Sequence, residues 1–208
     1  LSLALPAPPE PPAPGGPPLK GLAFSDEADA DLFYGRAALT ASLAAQVRTF
    51  FLPGYSGRRF LAVVGASGSG KSSLVRAGLV PVLRPALGDA IHIITPTARP
   101  LEALALSMTR STAGVAATAA LLDALGRDTR SLHLAASRLA QTAEASRLLV
   151  VVDQFEELFT LCRDETERRA FVDNLLCAAQ SPGPAAVVVA LRADFYERLS
   201  AYAKTLAI

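Results

Sequence analysis

Lysine is scarce in this chain: only Lys20, Lys71 and Lys204 occur, and the other basic residues are arginines and two histidines. The formal net charge is +1 and no stretch is a Lys/Arg tract, so no broad basic field exists to gather nucleic acid. Cysteine is equally sparse. Cys162 and Cys177 fall in predicted helices, with no CxxC spacing and no histidine cluster beside them. That pattern argues against a disulfide framework or a zinc site and fits a reducing, cytoplasmic compartment. No apolar run approaches the roughly 20 residues that span a bilayer. The opening LSLAL is too short for a signal-peptide core, and it lacks a basic start and an initiating Met. The sequence is therefore expected to be a piece of a longer protein.

What is present suits one globular domain. The length is 208 residues, and 51% hydrophobic against 19% charged residues is too apolar for a disordered chain. Proline dominates Pro6 to Pro18, so residues 1–20 are expected to form a disordered linker that tethers an upstream domain. Residues 21–208 are expected to form the ordered domain.

Within it, short apolar runs alternate with helical patterns. Strands are expected at Phe60–Val64, Ala90–Thr95, Leu148–Val152 and Ala185–Leu191. Helices are expected from about Ala37 to Thr49, from Lys71 to about Val80 where Pro81 and Pro85 end it, and two or three times across Leu101–Ser146. Further helices are expected over Glu156–Cys162, Asp164–Gln180 and Ala193–Lys204. This alternation predicts an α/β fold with a parallel sheet and helices on both faces, in three layers.

The strongest motif is Gly65-Ala66-Ser67-Gly68-Ser69-Gly70-Lys71-Ser72, which matches GxxxxGK[ST] at every defined position. Glycines let consecutive backbone N–H groups turn inward around phosphate oxygens, and the helix that follows aims its positive end at them. Residues Gly65 through Ser73 are thus expected to cradle a nucleotide. Lys71 would reach the β and γ phosphates, and the Ser72 hydroxyl would ligate Mg²⁺. A strand before the motif and a helix after it are the context the motif requires.

The second motif is LLVVVDQFEEL. Asp153 directly follows a buried strand, at the sheet edge where ligands of open α/β sheets bind, and is placed to hold Mg²⁺ opposite Ser72. A helix N-cap is its alternative role. Glu156 or Glu157 would orient and polarise the attacking water, Glu156 being preferred, with Gln154 the weaker candidate. Arg192, at the end of the fourth strand, would sense the γ-phosphate or else pair with Asp194. Upstream, Tyr34-Gly35-Arg36 either forms a shelf for the base or is a plain packing turn.

Together these pieces resemble the STAND NTPases, and most closely the bacterial novel STAND NTPases. The resemblance rests on GLAFSDEADADLFYGRAAL, RFLAVVGASGSGKSSLVRAGLVPVLR, LLVVVDQFEELFTLC and VVVALRADFYERL, which occur in the family's order. It implies an ATP-driven switch that rests with ADP and assembles when ATP replaces it. It also implies a P-loop NTPase fold, with effector domains upstream and ligand-sensing repeats downstream. Tyr34, Gly35 and Arg36 would then lie near the adenine, and Arg192 would match the family's first sensor. Ala37 stands where the family often has Glu. The family continues into a fifth strand, a helical lid and a winged helix, so the chain is expected to stop short of the fifth core strand. A transporter ATPase would need an LSGGQ-like signature and a GTPase an NKxD-type motif, and neither is visible. A P-loop ATPase of another class, of the transporter type, and a scaffold that holds nucleotide without turnover are the alternatives.

Overall fold

The computed structural model describes residues 36–110, 114–142, 146–180 and 182–206. The proline-rich stretch, Tyr34 and Gly35 lie outside them. Four strands are present: β1 (Phe60–Gly65), β2 (Ile91–Ile94), β3 (Leu148–Val152) and β4 (Ala185–Arg192). All neighbours pair in parallel, in the order β1-β4-β3-β2. Parallel neighbours need long crossovers, and these carry the helices.

The order explains the layering. The chain starts at one edge with β1, crosses the whole sheet to β2, then works back through β3 to β4. Crossovers are right-handed, so reversing direction puts the later helices on the opposite face. Helix α1 (Ala37–Phe50) shares one face with the rod after β1, formed by α2 (Lys71–Ser73), a wider π-type segment (Leu74–Leu79) and α3 (Val80–Leu87). The other face carries α4 (Pro100–Thr109), α5 (Val115–Arg127), α6 (Ser131–Thr142), α7 (Glu157–Thr160) and α8 (Glu165–Ala178).

Strands covered on both sides need no polar face. In β3, Leu148, Val150 and Val152 enter the core beneath α4–α8, while Leu149 and Val151 enter the core beneath α1–α3. β4 divides in the same way: Ala185, Val187, Val189 and Leu191 face one core, Ala186, Val188 and Ala190 the other. Among the described residues β1 is paired on one side only, and Val64 keeps 42% of its surface exposed.

One expectation is corrected. The helix after the glycine loop does not end at Pro81 or Pro85 but continues to Leu87. A proline ring in a regular α-helix collides with the carbonyl four residues back. Here the preceding turn is widened, and the Val80 N–H donates to Val75 O, five residues back. The wider turn loosens the spacing just where Pro81 enters. The last helix is also split, into a 3-10 turn (Ala193–Phe195) and α9 (Tyr196–Leu206). No helix among the described residues is long and apolar enough to cross a membrane.

Candidate functional site

The carboxyl ends of all four strands share one edge of the sheet, and every sequence-predicted residue that the structure describes lies along it. The glycine loop leaves β1 at Gly65. A side chain there would meet the Ser69 hydroxyl, since a Cβ would stand 2.8 Å from it. Gly68 and Gly70 have φ of +71° and +78°, values that a residue without a Cβ adopts at no steric cost. The Ser69 N–H donates to Ala66 O at 3.2 Å and closes the turn, and the Leu74 N–H donates to Gly70 O at 2.9 Å and opens the helix. Lys71 folds back over the loop, its Nζ donating to Ala66 O at 2.7 Å. The Arg36 guanidinium, at the start of α1, lies over Gly70, 3.6 Å from where a Cβ would be. One residue of the Tyr34-Gly35-Arg36 element therefore reaches the loop.

Asp153 follows β3 and has no exposed surface. Its backbone N–H donates to Ile94 O at 2.9 Å, which ties it to the end of β2. Three donors serve its carboxylate: the Ser72 hydroxyl at 2.8 Å and the Gln154 N–H at 2.9 Å on Oδ1, and Arg76 Nε at 2.6 Å on Oδ2. Sequence reasoning missed Arg76. The signal was available, because Arg76 lies four residues after Ser72 in the same helical run and so on its side of the rod. A second nitrogen of Arg76 donates to Thr95 Oγ1 at 3.0 Å, just beyond β2.

Gln154 has φ +50°, the only non-glycine residue in the left-handed region among those described. It turns the chain sharply after Asp153. Phe155 then plunges into the core, fully buried, and its N–H donates to Ala190 O at 2.9 Å.

The two glutamates diverge. Glu156 Oε2 accepts the backbone N–H of Arg192 at 3.2 Å, so its carboxylate sits at the end of β4, between β1 and β3. Glu157 opens α7, and burial, followed by the charges of Glu156 and Asp153, raises its pKa above the usual carboxylate value. A carboxylate at a strand end and one with a raised pKa can each act as a proton acceptor. The Arg192 side chain turns to Asp194, with contacts of 3.1 and 2.7 Å, and lies over the Phe195 ring at 5.4 Å. Of the two readings of Arg192, pairing with Asp194 is the contact observed here.

Ser72 and Asp153 supply hard oxygen donors from two elements. Among the described residues no group of three or more His, Cys, Asp or Glu could hold a metal ion. That donor set fits magnesium, which keeps several waters and is bound through one or two protein oxygens plus substrate phosphates. It does not fit an ion that needs a full protein cage.

Compared with known protein families, the chain matches Novel STAND NTPase 1 over residues 18–207. No curated protein and no solved structure matches.

Proposed function

The chain belongs to the Novel STAND NTPase 1 family, and on that premise we propose that it is a P-loop domain that binds and hydrolyses ATP with magnesium and acts as a molecular switch. The observation that carries this reading is the 2.8 Å hydrogen bond from Ser72 to the buried Asp153, which joins the foot of the glycine loop to the end of β3. Residues Gly65 to Ser73 wrap the phosphates, and Lys71 moves from Ala66 O to the β and γ oxygens. Ser72 and Asp153 hold the ion, which when bound neutralises charge that develops on the phosphates. Glu156, or Glu157, accepts a proton from the attacking water. Arg36, with Tyr34 and Gly35, borders the nucleotide.

Arg192 senses the γ-phosphate by leaving Asp194. Its backbone already serves Glu156, so the catalytic carboxylate and the sensor share one point of the sheet. The wider role is that of a cytoplasmic signal-transduction or defence protein, with effector and sensor domains in the same chain and homo-oligomers formed with ATP.

Steady-state ATP hydrolysis and nucleotide titration on two variants test the reading. Glu156→Gln should leave binding nearly intact and slow turnover by about 10²-fold, as expected for loss of a general base. A larger loss in Glu157→Gln would move the role to that residue. Tight ATP binding with no turnover in the unmodified chain would instead make the domain a nucleotide-holding scaffold.

A further inference from the structure

We infer that Arg76 is a positioning residue and built-in counter-cation of the metal aspartate, and that it makes the site select a metal–nucleotide complex over the free divalent ion. The inference rests on the assignment of Ser72 and Asp153 to the metal. Asp153 is wholly buried, and a buried carboxylate must be met by charge or by several donors. Arg76 supplies that charge through Nε at 2.6 Å while keeping only 15% of its own side-chain surface exposed.

The two carboxylate oxygens are divided between the partners. Oδ1 takes Ser72 and the Gln154 N–H, whereas Oδ2 takes Arg76. The guanidinium is aimed from behind by its second bond to Thr95, so it spans the ends of β2 and β3 as a planar fork. That clamp fixes the carboxylate rotamer with Oδ1 toward Ser72, the side on which the ion is held.

It also leaves a fixed positive charge on the far side of the same carboxylate. A free divalent cation approaching Oδ1 meets an aspartate whose charge is already balanced, and it is repelled by the guanidinium. An ion that arrives with nucleotide phosphates brings its own negative charge and is repelled far less. Arg76 thus makes metal binding depend on nucleotide binding without touching either phosphate or base.

The test is Mn²⁺ titration without nucleotide, followed by calorimetry or by electron paramagnetic resonance, on the 208-residue chain. The unmodified chain should bind Mn²⁺ weakly. Arg76→Gln should tighten it by about tenfold or more, the scale of removing a unit charge near a divalent ion. The thermal midpoint of Arg76→Gln should fall in EDTA and recover with Mn²⁺, a rescue that the unmodified chain does not show. Adding Asp153→Asn to Arg76→Gln should abolish the gain.

If Arg76→Gln does not fold, Arg76→Lys carries the test. It keeps a charge but cannot bridge Asp153 and Thr95 with one planar group, and Mn²⁺ binding should tighten a few-fold. Mn²⁺ affinity unchanged in the variants, or a gain that survives loss of Asp153, would overturn the inference. Loss of Mg·ATP binding by the unmodified chain would sink the functional reading itself, so the two failures are distinct.

Discussion

A carboxylate without exposed surface must have its charge satisfied nearby, and at Asp153 the donors come from the helix after the loop and from its own backbone turn. Its place was legible in the sequence, because an aspartate directly after a continuous apolar strand falls at the carboxyl edge of a parallel sheet. Arg76 was passed over although its spacing from Ser72 puts the two on one side of the rod, because nothing local to an arginine inside a helix says which buried acid it will meet. Asp153→Ala should weaken nucleotide binding in magnesium and leave binding in EDTA nearly unchanged, measured by titration under both conditions. An equal loss in both would mean that Asp153 only supports the loop. Lys71 lies on Ala66 O, ready to exchange one oxygen for another. A charge-assisted contact contributes about 1.5–3 kcal/mol, so Lys71→Ala should lower ATP affinity by roughly 10- to 150-fold. Near-normal affinity in a folded Lys71→Ala protein would remove its assigned role.

At the scale of elements, periodicity and apolar runs located all four strands and most helices, because residues of every strand pack towards both cores and the glycine loop separates β1 from the helix that follows it. They failed at Pro81, where a locally strong helix breaker yields to a rod packed between α1 and the sheet and the strain is taken up by a wider turn. They also passed over Asn174, a polar residue in α8 with no exposed surface. Its Oδ1 accepts the Leu132 N–H at 3.1 Å, and its Nδ2 donates to Leu125 O at 2.9 Å and to Ala170 O at 2.8 Å, so one amide pins α5 and α6 to α8. Nothing in the sequence distinguishes that asparagine from a surface one. Asn174→Ala should strand the Leu132 N–H and the Leu125 carbonyl and destabilise the fold by about 2–4 kcal/mol in urea unfolding. Nucleotide affinity should be unchanged, because these helices meet the sheet away from the glycine loop. A shift below ~0.5 kcal/mol would mean that water or a repacked neighbour replaces the amide.

For the molecule as a whole, alternating strands and helices foretell a parallel sheet but not its order, which depends on which crossover covers which face. The order β1-β4-β3-β2 separates the loop strand from the Asp153 strand by one strand, and the end of that intervening strand carries Arg192. Three strand ends therefore share one stretch of the sheet edge, and among the described residues the side-chain bonds joining them include Ser72 and Arg76 to Asp153 and Glu156 to the Arg192 N–H. A nucleotide held by the loop, with its ion on Asp153, would tie β1 to β3 across β4. Ligand at a hundred times its dissociation constant adds about 2.7 kcal/mol to the folded state. A domain of this size gains about 2–4 °C per kcal/mol, so saturating Mg·ATP should raise the unfolding midpoint by about 5–10 °C. Lys71→Ala should abolish about half of that rise or more, and EDTA should reduce it. Hydrogen exchange should slow together at the loop, at Asp153 to Phe155 and at the end of β4, because the ligand joins all three. If the midpoint rises while only the loop becomes protected, the nucleotide binds the phosphate cradle without engaging Asp153 or the β4 end, and a γ-phosphate sensor at Arg192 has no physical basis.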